Sequence, residues 1–157
     1  QDIINPSALK KDAIEIIHTD RGGGATVHGP GQIVVYPVVN LKLLNLSIPD
    51  TTSRLESALI SCLAQYDIRA LRQAGEPGVY VDGAKIGSIG FRVSNDILTH
   101  GISLNVTNNL SVFSHIATCR KVNATITSMA ALVGETFDIR LVGRLLAKRV
   151  ISNLELN

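Results

Sequence analysis

Apolar and polar positions alternate along the chain with two different periods, and the changes of period mark its elements. Residues 13–18 (AIEIIH) are rich in β-branched positions and predict a strand. A second apolar run, residues 32–41 (QIVVYPVVNL), predicts another, which Pro37 should confine to a sheet edge or a bulge. After Pro49 the period lengthens. Asp50, Thr51, Thr52 and Ser53 offer N-caps, and Leu55, Ala58, Leu59, Cys62, Leu63 and Tyr66 recur at helical spacing, which predicts an amphipathic helix over about 50–66. Residues 78–93 (GVYVDGAKIGSIGFRV) hold two β-prone runs around Asp82-Gly83, a tight hairpin signal, and residues 97–106 predict the next strand. A short irregular or helical piece runs to Cys119. TITSMAAL follows at 125–132 with Gly134 as a stop, then a closing helix over about 137–151, whose apolar side is Leu141, Leu145 and Ala147 to Val150 and whose Arg140, Arg144, Lys148 and Arg149 are solvated. Strands and helices interleaved with hairpins predict an α+β domain with a mixed sheet, not a doubly wound parallel one.

Composition narrows the classes. With 157 residues, 45% of them hydrophobic, and a mean hydropathy of +0.24, the chain can bury the core of one domain. No apolar run approaches the roughly 20 residues that span a bilayer, and QDIINPSALKKDA lacks the apolar centre of a signal peptide, so the expectation is a soluble, cytoplasmic protein with no membrane partner. Fifteen Lys and Arg against thirteen Asp and Glu leave no electrostatic footprint for nucleic acid. His18, His28, His100 and His115 are scattered and neither cysteine lies in a CxxC pair, so no metal site is expected. Two cysteines in a chain this long suggest a reducing compartment.

Between the first two runs lies RGGGATVHGPGQ, with five glycines and a proline in twelve residues. It lacks the GxxxxGK[ST] and GxGxxG patterns, so nucleotide binding is not indicated, yet Arg21 and His28 bracket the glycines and suggest a ligand loop. Cys62 shares the helical stripe and reads as a buried hydrophobe. Cys119 lies outside any clear apolar periodicity and precedes Arg120-Lys121, which makes it the better nucleophile candidate. By position, Lys85 reads as an exposed hairpin lysine or as a partner for such a thiol. His100 alternates with Leu98, Ile102 and Leu104 and reads as a core histidine. Chemistry alone leaves a cysteine, a lysine and two histidines without a geometry.

Four blocks, RGGGATVHGPGQ, DGAKIGSIGFRV, THGISLNV and FSHIATCR, resemble in this order the successive blocks of the lipoyl(octanoyl) transferases. They span most of residues 20–120. The resemblance implies a fold shared with lipoate and biotin protein ligases, and octanoyl transfer from acyl carrier protein to a lysine of a lipoyl domain, the first step of protein lipoylation. Cys119 matches the family's acyl-accepting cysteine and Lys85 its dyad lysine. Arg21, Gly22, Gly23, Gly24, Ala25, Thr26, Val27 and His28 match the substrate-binding loop, Ser88, Ile89 and Gly90 the wall after the lysine, and His100, Gly101, Ile102 and Ser103 the segment at the strand histidine. The implied donor is octanoyl-acyl carrier protein, whose phosphopantetheine arm delivers the acyl group without a further cofactor. The implied acceptors are lipoyl domains of 2-oxoacid dehydrogenases and the glycine cleavage H protein, in the cytoplasm or, in a eukaryote, the mitochondrial matrix. Thr118-Cys119-Arg120 departs from the family's usual Pro-Cys-Gly, and Gly24 and Ser103 replace a longer polar residue and an alanine. Family members carry a helix and strands ahead of the position of Gln1, so residues 1–157 are expected to form a single, N-terminally incomplete catalytic domain. The alternative is a binding module or half-enzyme that needs a second chain.

Overall fold

The computed structural model describes residues 2–117 and 125–155. Cys119 lies outside the described residues. The elements are α1 (Pro6–Lys11), β1 (Gln32–Val35), β2 (Val39–Asn40), α2 (Ile48–Leu63), β3 (Leu71–Gln73), β4 (Glu76–Val81), β5 (Ala84–Ser94), β6 (Ile97–Asn105), α3 (Met129–Val133) and α4 (Ile139–Leu154), with 3-10 turns at Ala64–Tyr66 and Ser111–His115.

The named strands form one antiparallel sheet in the order β1-β6-β5-β4-β3, and β2 also pairs with β6. Two tight turns set its centre. Asp82-Gly83 joins β4 to β5 and Asn95-Asp96 joins β5 to β6, all four residues at positive φ, the primed geometry that matches strand twist. Pro37 acts as expected. Lacking an N–H, it divides the run after the Val35↔Ile102 pair, and pairing resumes at Val39↔Leu98.

Ser47 and Asp50 close a capping box at the start of α2, two residues before the expected start of the helix. Leu55, Ala58, Leu59, Cys62 and Leu63 are fully buried and pack with Val79, Ile86, Ile102 and Leu104 of the sheet, and with Val142, Leu146, Val150 and Leu154 of α4. Two details of α4 differ from expectation. The row at Val142, Leu146, Val150 and Leu154 is continuously apolar and turns inward, whereas the row through Leu141 meets Lys148 and leaves Leu141 57% exposed. Arg149, expected in solvent, is half-buried.

Residues 13–18 are the clearest correction. They form no strand; Ile14 joins a small cluster around Leu9, Phe113 and Ile116, while Ile16 and Ile17 stay exposed. β propensity expresses itself only where an edge is available, and these residues line a cavity instead.

Candidate active site

The floor of the site is two rungs of the sheet. Ser88 pairs with Ser103 and Gly90 with Gly101, so four small residues stand side by side on one face. Their size is what admits the glycine loop: a Cβ on Gly90 would stand 3.2 Å from both Arg21 Nη1 and Gly22 O. The loop is fastened from several sides. The Gly22 N–H donates to Phe91 O at 3.0 Å, and the Ala25 N–H donates to Asp2 Oδ2 at 3.1 Å. Arg21 folds back on its own loop, donating from Nη1 to Gly22 O (3.0 Å) and from Nη2 to Gly24 O (2.6 Å).

Lys85, at the start of β5, is only 4% exposed, which overturns its reading as a surface hairpin lysine. Its burial follows from pairing on both sides. β4 covers one edge, and on the other the Lys85 N–H donates to Thr125 O and the Thr127 N–H donates to Lys85 O, each at 2.9 Å. The ammonium donates to Pro77 O at 3.0 Å and lies 5.2 Å from the centre of the Tyr80 ring.

His28 is oriented by a chain of amides. Asn105 Nδ2 donates to Thr127 O (3.0 Å), Gln32 Nε2 donates to Asn105 Oδ1 (2.8 Å), and Gln32 Oε1 lies 2.7 Å from His28 Nδ1. A backbone carbonyl only accepts, so it fixes both amides and places a proton on His28 Nδ1. His100 is not a core histidine. It is half-buried at positive φ, its Nε2 lies 3.0 Å from Asp20 Oδ1, its ring meets Tyr36 edge-on, and Asp20 also pairs with Arg92.

These segments enclose a cavity of about 50 Å³ lined by Lys85, Ser88, Ile89, Gly90, Gly101, Ile102, Ser103 and, from the loop, Arg21, Gly23 to Thr26 and His28. A larger cavity of about 350 Å³ shares Arg21, Ala25, Thr26, His28 and Tyr36 with it and continues between apolar side chains of Ile3, Leu9, Ile14 and Ile116. Val27 and His100 line the larger cavity, and Gly22 lines a groove on the other side of the loop. Apart from Cys119, every residue matched to the family's site therefore lines one of three neighbouring hollows. Tyr36 gives no separate signal inside an apolar strand run, nor does Glu56, 7% exposed on α2, beside the apolar stripe of that helix. Cys62 has a different character: burial pushes its thiol up to about 11, only partly opposed by the Arg149 charge, so it stays protonated at neutral pH. Among the described residues no group of three or more His, Cys, Asp or Glu is placed to hold a metal ion, and no helix is long and apolar enough to cross a membrane.

Residues 1–151 match the family model of the lipoyl protein ligase A/B catalytic domain. The chain belongs to this family. Within the lipoyl protein ligase A/B family, it is 44% identical over 124 residues to an octanoyltransferase of Chromobacterium violaceum, covering 79% of this chain and 60% of that protein. It is 41% identical over 137 residues to an octanoyltransferase of Pseudomonas aeruginosa, covering 87% and 63%. A third, from Aromatoleum aromaticum, is 47% identical over 115 residues, covering 73% and 50%. The chain thus spans between half and less than two thirds of these relatives' length. Among solved structures, the bipartite lipoate protein ligase of Thermoplasma acidophilum superposes with a TM-score of 0.76 at 15% identity, covering 99% of this chain and 64% of that one. A biotin protein ligase from Aquifex aeolicus gives 0.64 at 20%, covering 80% and 53%. Antiparallel sheet and flanking helices are the fold of the family's ligase relatives, as expected from the sequence blocks.

Proposed function

We propose that the chain carries the catalytic centre of an octanoyltransferase acting in protein lipoylation, with Cys119 as acyl acceptor and Lys85 as its partner. The observation that carries the reading is the convergence of three separate sequence blocks on one cavity beside a buried lysine, in a chain 41–47% identical to octanoyltransferases. Lys85 pairs through its backbone with Thr125 and Thr127, the first residues described after the stretch that contains Cys119.

In this reading the Lys85 ammonium favours the Cys119 thiolate by charge. The thiolate attacks the octanoyl carbonyl on acyl carrier protein; a new C–S bond forms, the old one breaks, and the phosphopantetheine arm leaves as a thiol after taking the proton of the Lys85 ammonium, which becomes a neutral amine. One thioester replaces another, so the step is nearly isoenergetic and needs no nucleotide. The lysine amine of a lipoyl domain then attacks the acyl-cysteine; a C–N bond forms, the acyl C–S bond breaks, the amine's proton passes to the now neutral Lys85, and the Cys119 thiolate is released beside a restored ammonium. The apolar continuation past Tyr36 is the place for the acyl tail, which has no polar group to satisfy and gains by leaving water. Backbone N–H groups near Gly90 and Gly101 are the candidates for holding the oxyanion.

Incubation with octanoyl-acyl carrier protein, followed by intact mass, tests this. One octanoyl adduct is expected, absent in Cys119→Ser, retained in Cys62→Ser, and discharged on adding a lipoyl domain. Carrier binding without any adduct would make the chain a binding module and overturn the reading.

A further inference from the structure

The mechanism above makes no use of Glu56, a carboxylate buried on the apolar face of α2. Its Oε2 accepts from Arg72 Nε at 2.9 Å, and its Oε1 accepts from the Gly78 N–H at 3.1 Å. Gly78 N and Pro77 O belong to one peptide unit, and Pro77 O is the atom to which the Lys85 ammonium donates, at 3.0 Å. In a trans peptide the N–H and C=O point in opposite directions. Carboxylate, peptide and ammonium therefore form a line in which the positive end of the peptide dipole meets the carboxylate and the negative end meets the ammonium. We propose that Glu56 is a positioning residue for Lys85, holding its Nζ in place and charged through the Pro77-Gly78 peptide.

Two features argue that the line is built rather than incidental. Gly78 has φ +130°, and a Cβ there would stand 3.0 Å from Lys85 Cε and 2.6 Å from Gly87 O, so the lysine chain lies directly against the peptide it bonds. Burying a carboxylate is costly unless it is paired, and Arg72, itself held by Ser53 O (2.9 Å) and Ser57 Oγ (2.6 Å), supplies the pair from an exposed edge strand. Among the described residues, Tyr80 of β4, whose hydroxyl donates to Glu76, and Arg21 and His28 across the cavity also stand near Lys85.

The catalytic meaning of this arrangement rests on the octanoyl-transfer reading, but its test need not. With lysines labelled at ¹³Cε, Lys85→Arg identifies the Lys85 resonance, whose titration is then followed in the full chain. Glu56→Gln should lower the midpoint by about half a pH unit or more, since a negative charge is lost and the peptide carbonyl becomes a weaker acceptor. Arg72→Met, which leaves the carboxylate uncompensated, should raise it. Opposite shifts support the proposal. An unchanged Lys85 midpoint in whichever of the two variants folds, or shifts of the same sign in both, overturns it. The kinetic counterpart is a kcat for transfer reduced roughly tenfold in Glu56→Gln, with KM for the octanoyl carrier unchanged. Absence of any transfer by the unaltered chain would sink the octanoyl reading while leaving the titration result standing.

Discussion

The helix-covered side of the sheet and the loop-covered side are held by different physics. Under α2 and α4 a continuous cluster from Leu55 to Leu154 excludes water, and a Cβ on Gly87 would meet Val79 and Leu59 side chains at 2.7 and 3.1 Å. On the loop side, the small cluster has three buried members, Leu9, Phe113 and Ile116, and the glycine loop is fixed mainly by backbone and amide hydrogen bonds over a floor of serine and glycine. Apolar burial is non-directional and tolerates repacking, so it supports; hydrogen bonds are directional, so they place atoms. The support can be changed at the cost of stability, and the loop side at the cost of chemistry.

That division can be broken by the variant with the largest expected effect. Lys85→Met keeps an unbranched chain of similar length on β5 and should reduce octanoyl transfer by about 10²–10⁴-fold, with the melting temperature little changed. Equal loss of melting temperature and activity would show that the buried amine is structural and erase the contrast. Leu59→Ala should do the reverse. It opens a cavity between α2 and the Gly87 rung, costing about 2–5 kcal/mol in urea unfolding, while the folded fraction keeps its kcat.

The same division decides what could be read from the chain. Helix α2, the Asp82-Gly83 hairpin turn and the Pro37 interruption are local: caps, a 3.6 period, a turn dipeptide and a missing N–H act within a few residues, so each was visible. Residues 13–18 were misread because a strand needs an edge, and which edges remain open is decided by the whole sheet. Leu141 was misassigned because its row is apolar only as far as Leu145 before it meets Lys148, whereas the adjacent row through Val142 stays apolar to Leu154 and is the one that turns inward. At the site, the sequence blocks named the lining residues but not what holds them. The burial of Lys85 depends on Thr125 and Thr127, and the orientation of His28 on Asn105, contacts between residues 40 and 73 positions apart in sequence or more.

Gly101 sharpens the comparison because it belongs to both sides. It is the floor of the site, and a Cβ there would come within 2.2 Å of Val35 O and 2.7 Å of Pro37 Cδ, both on the neighbouring segment where the β1 ladder ends. Backbone on one side and a rigid ring on the other cannot yield as a flexible side chain would. Gly101→Ala should therefore cost about 1–3 kcal/mol in unfolding and also lower transfer, moving both readouts together. Gly83→Ala, at a turn where a Cβ meets nothing, should show only the smaller backbone cost of a positive φ, with unchanged activity. If Gly101→Ala moved stability alone, the floor would belong with the support.

The smallest effect expected lies wholly within the supported side and appears only at high pH. Cys62 is fully buried, and its thiol is pushed from 9.0 to about 11 by loss of hydration, with the Arg149 charge opposing part of the rise. Below pH 9 the thiol is protonated in both the folded and the unfolded chain, so it adds no pH dependence. Between 9.0 and about 11 the unfolded chain releases this proton while the folded chain keeps it. The folded state then binds more protons, so stability falls as pH rises through that window. Other groups titrate there too, including Tyr66, whose hydroxyl is also raised, first by burial and then by Cys62 and Asp138. The informative quantity is thus the difference between the original chain and Cys62→Ala in urea unfolding followed across the window. The alanine chain should start less stable, because a buried sulfur is lost, and should lose less stability as pH rises, so the two curves converge. Parallel curves would mean that water reaches the thiol, and that the cluster under α2 and α4 is not as dry as its burial implies.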